Sequence, residues 1–152
     1  MTAPAHNALD FAKLVCELSK WTVTNLQLQK ILFLLQTNYM GTHGGAPLFN
    51  ANFQAWDYGP VEPDVYHRVK CYGASPIEPQ IFFAREGQNI PETEKDYVQQ
   101  SLNVLLSISP TQLVSFTHRK GSAWSKKYQP GFSSRITNED IMQDYANATA
   151  RK

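Results

Sequence analysis

The segment that follows Thr24 constrains the fold more than any other part of the sequence. Thr24 and Gln27 have the spacing of a capping box, which predicts the start of a helix. The apolar positions that follow are Leu26, Leu28, Ile31, Leu32, Phe33, Leu34, Leu35 and Tyr39. They occupy nearly every face of a helix, so other elements must cover it on several sides. The sequence therefore predicts a helical domain built around one central helix, which is expected to end at Gly41 and the Gly44–Gly45 pair.

Other apolar stripes with helical spacing predict further helices around the central one. Each stripe is preceded by a residue that favours a helix start, either a capping side chain or a proline. These residues are Asn7, Pro63, Pro91, Ser109 and Thr137. Ser122 is a candidate start for one more helical turn, which would hold Trp124.

Extended structure is expected in only a small part of the chain. Large and small residues alternate over Phe53–Tyr58, which predicts a short strand that Gly59–Pro60 stops. Residues 74–90 are expected to form a loop with no more than one short strand. The sequence thus predicts a mainly α fold of five or six helices with a minor β element. We expect one compact domain over residues 1–152, with its core at about 8–145.

Composition narrows the class of protein. A chain of 152 residues that is 42% hydrophobic can bury one core without metal or disulfide support. Its 14 Lys and Arg residues against 13 Asp and Glu residues argue against a dedicated nucleic-acid binder, which needs a large basic excess. Cys16 and Cys71 are expected to be buried, reduced thiols. Because residues 1–9 lack a secretory signal and the apolar run Ile31–Leu35 is too short to span a membrane, we expect a soluble cytoplasmic protein.

The sequence offers no pattern that is typical of a catalytic or metal site. Its four histidines, His6, His43, His67 and His118, lack the spacing of metal ligands, so no metal or other cofactor is expected. The glycine-rich segment 41–45 follows a helix and lacks a phosphate-binding ending, which predicts a connector. We therefore predict that the chain is not an enzyme. Asp57, Glu62 and Asp64 could still form a carboxylate pair on folding, although solvated turn acids are commoner.

A first cluster with functional potential covers Ala55–Val61, with Tyr66 one helix turn later. Gly59–Pro60 combines a flexible residue with one of fixed φ, so the aromatic side chains before it are held rigidly. Rigid Trp and Tyr side chains act as anchors in protein interfaces. They also fill cores. Core packing is favoured for Trp56, whereas both interpretations stay open for Tyr58.

A second cluster covers Phe116–Trp124 and continues with Lys126 and Lys127. Its cations are interleaved with aromatic residues, which suits an acidic partner or a nucleic-acid backbone. The favoured alternative is structural. In that interpretation, the cations stabilise the end of a helix, their face is solvated, and Trp124 is buried.

Three blocks of the sequence occur in an order and spacing that point to a known family. They are Thr24–Leu32, Ala55–Val61 with Tyr66, and Thr117–Trp124. Together they resemble the Panacea domain of the SocA-like antitoxin family, whose members are also described as phage-associated or GepA-like proteins. The resemblance extends over about Ala8–Tyr145, nearly the whole chain.

The resemblance implies a mostly helical antitoxin of a bacterial or prophage toxin–antitoxin system. Such a protein neutralises a cognate protein toxin by direct binding, and a second implied mode is an adaptor that delivers the toxin to a cytosolic AAA+ protease. We expect Trp56, Tyr58 and Tyr66 to anchor the partner, with Arg119 and Lys120 steering it electrostatically. The full set of expected partner-binding residues is Trp56, Tyr58, Gly59, Pro60, Val61, Tyr66, His118, Arg119, Lys120 and Trp124.

Two other classes of function remain as alternatives. A DNA-binding regulator of its own operon would need a recognition helix rich in Arg, Lys and Asn, and the predicted helices are neutral or apolar. A small enzyme would need Asp57, Glu62 or His118 to converge in one pocket. Both therefore rank behind a protein-binding module.

Overall fold

Helix α2 lies at the centre of the fold in the computed structural model, which describes residues 4–150. The α-helices are α1 (Ala8–Leu18), α2 (Asn25–Thr42), α3 (Pro63–Val69), α4 (Glu92–Leu105), α5 (Pro110–His118), α6 (Ala123–Lys127) and α7 (Asn138–Thr149). The strands are β1 (Gln54–Trp56), β2 (Gly59–Val61) and β3 (Ser134–Arg135). The mainly α class predicted from the sequence is confirmed. The described residues form seven helices rather than five or six, because the turn predicted at Ser122 is the short helix α6.

The core is built around α2, as its apolar pattern predicted. Helices α1, α3, α4, α5 and α7 and strand β2 all pack against it. Its buried apolar side chains are Leu28, Ile31, Leu32, Phe33, Leu35 and Met40. Polar side chains on the same helix are buried as well, among them Gln36, which bonds the backbone of Leu48 and Phe49, and Lys30.

Reciprocal capping boxes mark the start of four of the helices. Asn7, Thr24, Ser109 and Thr137 each form a reciprocal capping box at the start of α1, α2, α5 and α7. Each capping oxygen accepts from a backbone N–H that has no partner within the helix. The starts predicted from these four residues are therefore confirmed.

The small sheet is antiparallel, with the strand order β2-β1-β3. Ala55 is opposite Pro60 in the β1–β2 hairpin, and Trp56 is opposite Gly59. The prediction that Gly59–Pro60 stops the extended segment is wrong, because these residues form the returning strand. A proline is tolerated there because β2 is an edge strand, where an N–H group need not pair.

Gly41 does not end α2, which continues to Thr42. A Cβ atom at position 41 would lie only 2.3 Å from ring atoms of Tyr145 on α7. Gly41 therefore allows α7 to approach α2 closely, and the expectation that it stops the helix is wrong.

The segment between α3 and α4 is a loop, as the sequence predicts, and it differs from the predictions in one cysteine. None of the residues 74–90 forms a strand; the segment contains the 3₁₀ turn Pro79–Ile81 and is attached to the core by Ile77, whose N–H donates to the Val23 carbonyl at 3.0 Å. The expectation of two buried thiols holds for Cys16 and fails for Cys71, which is exposed in the 3₁₀ turn after α3. Burial raises the pKa of the Cys16 thiol to about 12.

Candidate functional site

The tip of the β1–β2 hairpin presents an aromatic side chain to solvent. A two-residue turn, Asp57 and Tyr58, joins the strands, and Tyr58 is 72% exposed. The hydroxyl of Tyr128 donates to the Asp57 carboxylate at 2.6 Å, which ties the turn to the chain beyond α6. Of the two interpretations left open for Tyr58, the structure excludes core packing.

Trp56 and Tyr66 form an aromatic pair at the base of the hairpin. Their ring centroids are 4.8 Å apart in an edge-to-face arrangement, and the Trp56 indole N–H donates to Gln54 at 2.9 Å. Both side chains are only partly buried, so the favoured assignment of Trp56 to the core is wrong. They line a cavity of about 710 Å³, which we call the hairpin cavity. Its wall also includes Leu26, Lys30, Asp57, Tyr58, Val61, Lys70 and Phe132.

Lys30 lies directly beneath the hairpin turn. Its side chain is 1% exposed, and its Nζ donates to the Pro60 carbonyl at 3.0 Å. A Cβ atom at Gly59 would lie 2.7 Å from Lys30 Cε and 3.0 Å from Thr117 Oγ1. Because Gly59 also has a φ of +117°, this position requires glycine for both space and backbone conformation.

The buried amine changes the electrostatics beneath the hairpin. Burial lowers the pKa of Lys30 to about 7. Burial and the positive charge of Lys30 both lower the pKa of His118, against the effect of a hydrogen bond to the Tyr58 backbone. His118 Nε2 is buried and has no hydrogen-bond partner among the described residues. Two basic groups therefore share a poorly solvated space next to the hairpin cavity.

A stack of three rings supports the hairpin from the side of α5 and α6. The His118 and Trp124 rings are parallel with centroids 3.7 Å apart, and Tyr128 stacks on Trp124 at 4.5 Å. The Trp124 indole N–H donates to the Trp56 carbonyl at 2.6 Å. Trp124 is half-buried rather than buried, because it bridges the helices and strand β1. The three sequence blocks therefore meet in space at this hairpin.

Arg119 is engaged within the fold. It forms an ion pair with Asp144 of α7, and its Nη1 donates to the Phe116 carbonyl at 2.9 Å. The other Asp144 oxygen accepts from the Ala123 N–H at 2.8 Å, so one carboxylate joins α5, α6 and α7. The expectation of Arg119 as an exposed steering group is therefore wrong. Lys120 is exposed, as a steering group would be.

Of the three acids that could have formed a catalytic pair, Glu62 and Asp57 have separate structural surroundings. Glu62 is 2% exposed and caps α3, with Oε1 accepting from Asp64 N–H at 2.7 Å and Oε2 accepting from Asn52 N–H at 2.7 Å. Burial raises the pKa of Glu62, although these backbone hydrogen bonds lower it. Glu62 is thus a buried cap and not a solvated turn acid, whereas Asp57 is exposed and bonded to Tyr128.

Neither a metal site nor a membrane-spanning helix is found in the part of the chain that the structure describes. Between residues 4 and 150, no group of three or more His, Cys, Asp or Glu side chains has the arrangement of a metal site. None of the helices in this range combines the length and apolar composition of a membrane span.

Comparison with known proteins identifies relatives of this chain. Residues 28–125 match the family described as "Antitoxin SocA-like, Panacea domain". Antitoxin SocA of Caulobacter vibrioides (strain NA1000 / CB15N) is 32% identical, in an alignment that covers 67% of this chain and 58% of that protein. The chain therefore spans little more than half the length of this relative. No solved structure matches.

Proposed function

Because the chain belongs to the SocA-like antitoxin family, which is defined by the Panacea domain, we propose that it neutralises a cognate protein toxin by binding it directly. The family assignment confirms the resemblance predicted from the three sequence blocks. The family supports an antitoxin role, and that role, direct binding and the binding surface are all parts of the proposal.

The exposed tip of the hairpin carries this proposal. Tyr58 is 72% exposed, and two further apolar side chains that line the same cavity, Leu26 at 39% and Phe132 at 66%, are exposed beside it. Apolar side chains clustered on a surface mark sites of protein association. Aromatic anchors of this kind supply most of the binding energy in an interface of about 800 Å² per partner.

The support beneath the hairpin makes its surface suitable for binding. Trp56 is held by Gln54, Tyr66 and the bond that its carbonyl accepts from Trp124. A surface held in one conformation loses little entropy on association, so more of its contact energy appears as affinity. In this proposal Trp56, Tyr58 and Tyr66 are anchors, and the exposed Lys120 steers the approach of an acidic surface.

In this scheme, binding of the antitoxin to the toxin is sufficient for neutralisation. The bound antitoxin either blocks the toxin sterically or fixes it in one conformation. Delivery of the bound toxin to an AAA+ protease is the second mode implied by the resemblance. The two modes are separated by toxin abundance, because a steric block leaves the amount of toxin unchanged and delivery reduces it.

Co-expression with the product of the neighbouring gene, followed by pull-down, tests direct binding. Wild type should retain the toxin, and Tyr58→Ala should weaken capture by roughly tenfold or more if Tyr58 is an anchor. Its stability should change by no more than about 0.5 kcal/mol, because the side chain is exposed. Val104→Ala removes apolar surface from another face, where Val104 is 62% exposed, and should leave capture intact. Failure of the wild-type chain to form any complex contradicts the proposal.

A further inference from the structure

The hairpin cavity has a buried cation that lacks a carboxylate partner within residues 4–150. The Lys30 ammonium group donates to one backbone carbonyl, that of Pro60. The ion pairs of the described residues are Arg68–Glu86, Arg119–Asp144 and Lys127–Asp140, and none of them includes Lys30. The charge of Lys30 acts on its surroundings, because burial and this charge together lower the pKa of the nearby His118. A buried charge without a counter-ion is expensive, so a ligand that supplies the counter-ion gains affinity.

The shape and lining of the cavity define what kind of anion would fit. Apart from Lys30, the walls are largely aromatic or apolar, through Trp56, Tyr58, Tyr66 and Leu26. Two exposed charges, Asp57 and Lys70, also line the cavity, and they have opposite signs. The one buried cation suits a singly charged group, and the walls suit an apolar group attached to it. A carboxylate on an apolar residue has this chemistry, whereas a phosphate brings up to two charges to a site with one buried cation.

We propose that the hairpin cavity is a carboxylate-binding subsite, in which the amine of Lys30 pairs with an acidic residue of the toxin next to an apolar side chain. This inference rests on the proposed function, since it specifies the chemistry of the partner at the same surface. Tyr58 and Trp56 contact the apolar part of the ligand, and Lys30 selects for its charge.

The direction in which binding affinity changes with pH distinguishes a carboxylate from an apolar ligand at this subsite. With a pKa of about 7, the empty site holds an amine that is only partly protonated near neutral pH. A carboxylate stabilises the ammonium form, so binding takes up a proton and affinity falls as the pH rises. From about pH 6 to about pH 8 the affinity should fall by about tenfold. A purely apolar ligand would bury the amine further, favour its neutral form and bind more tightly at the higher pH.

Two small probes that differ only in charge test the site without the toxin. We would titrate the full chain with 3-phenylpropionate and with 3-phenylpropionamide at about pH 6, and follow the three indole N–H signals by NMR. The carboxylate should shift the signal of Trp56, which lines the cavity, in a saturable way. The signal of Trp21, which packs against Phe82, should stay in place, and the amide should have a much smaller effect.

Lys30→Met keeps an unbranched side chain that is one atom shorter and removes its charge. This variant should lose binding of 3-phenylpropionate and its pH dependence, with unchanged Trp21 signals as evidence of folding. Lys126→Met removes an exposed cation that is not part of the cavity wall and should bind as wild type does. The proposal is overturned by equal binding of acid and amide, by absence of saturable binding to wild type, by undiminished binding to Lys30→Met, or by affinity that increases with pH.

The subsite and the proposed function can fail separately. If Lys30→Met captures the toxin as well as wild type does, and wild type does not bind 3-phenylpropionate, the subsite alone is contradicted. A chain that binds 3-phenylpropionate through Lys30 and captures no toxin contradicts the proposed function and leaves the carboxylate-binding chemistry of the cavity in place.

Discussion

Arg119 and Lys30 are both largely buried cations beside apolar cavities, but within the described residues only Arg119 has a carboxylate partner. Arg119 lies at a cavity of about 740 Å³ between α2, α4, α5 and α7, where Asp144 neutralises it. Lys30 lies at the hairpin cavity of about 710 Å³, where its amine donates to a backbone carbonyl. The first arrangement holds three helices together, whereas the second leaves a charge unbalanced next to an exposed aromatic tip. The carboxylate partner therefore distinguishes a charge that stabilises the fold, that of Arg119, from one that is available to a ligand, that of Lys30.

The largest effect is expected when the paired cation loses its partner. Asp144→Asn should lower the free energy of unfolding by about 3–5 kcal/mol, because it leaves Arg119 buried without a counter-ion. The asparagine also weakens the bond to the Ala123 N–H. Chemical denaturation measures the change. Lys127→Met is the matched control, since Lys127 and Asp140 are 3.5 Å apart at a more exposed site, and it should change stability by no more than about 1 kcal/mol. Equal effects of the two substitutions would remove the distinction between them.

A smaller effect is expected above the unpaired cation. Gly59→Ala places a methyl group 2.7 Å from Lys30 Cε and gives a non-glycine residue a φ of +117°. The strained backbone conformation alone should lower the free energy of unfolding by about 1–3 kcal/mol. Thermal and chemical unfolding give the value, and Gly131→Ala, where φ is also positive but no described atom lies within 4 Å, isolates the part due to crowding. A loss no larger than that of Gly131→Ala would show that Lys30 does not crowd this position.

The smallest change in stability is expected from removal of the unpaired charge. Lys30→Met loses the hydrogen bond to Pro60 but also relieves the buried charge, so the net change should stay within about 2 kcal/mol. Chemical denaturation at neutral pH gives the value. Destabilisation as large as that of Asp144→Asn would contradict the contrast between the two cations.

The pH dependence of Lys30→Met sharpens this prediction. Burial lowers the pKa of Lys30 from 10.5 to about 7, so between these values the folded chain binds fewer protons than the unfolded chain. The contribution of Lys30 to stability is therefore lowest below about pH 7 and rises with pH, by no more than about 1.4 kcal/mol per pH unit. The difference between wild type and Lys30→Met, measured by denaturation from about pH 6 to about pH 8.5, should show this slope. Cys16, whose pKa is raised, acts in the opposite direction at higher pH.

Local signals in the sequence are sufficient to predict most of the fold. Capping residues such as Asn7 and Thr137 act within one helical turn, and the apolar faces of α2 follow from its own residues. Strand β3 is not predicted because two residues carry no recognisable pattern, and its pairing depends on a partner far away in the chain. The prediction for Gly41 fails for the same reason, because the ring that crosses it belongs to Tyr145.

The candidate site is predictable in its location and less so in its roles. The Gly-Pro pair, which belongs to strand β2 and not to the turn, still directs attention to Trp56 and Tyr58, and Tyr58 is exposed at the hairpin tip. Arg119 is wrongly predicted to lie at the surface because its partner Asp144 is 25 residues away along the chain. The role of Lys30 is not predicted. Its signal in the sequence is a cation within an otherwise apolar central helix, but this pattern does not show where the amine lies.

The close crossing of Gly41 by Tyr145 has a consequence for the order of assembly during translation. Helix α7 closes over α2 there and also supplies Asp144, which fastens α5 to α6. The hairpin packs against α5 and α6 and is bonded to α6 through Trp124. Because α7 holds these two helices together, the packing beneath the hairpin is complete only after residues 138–149 have left the ribosome. A nascent chain that has already exposed Tyr58 would thus lack part of the packing that holds the hairpin in place. The ability to bind a partner would therefore arise late in synthesis.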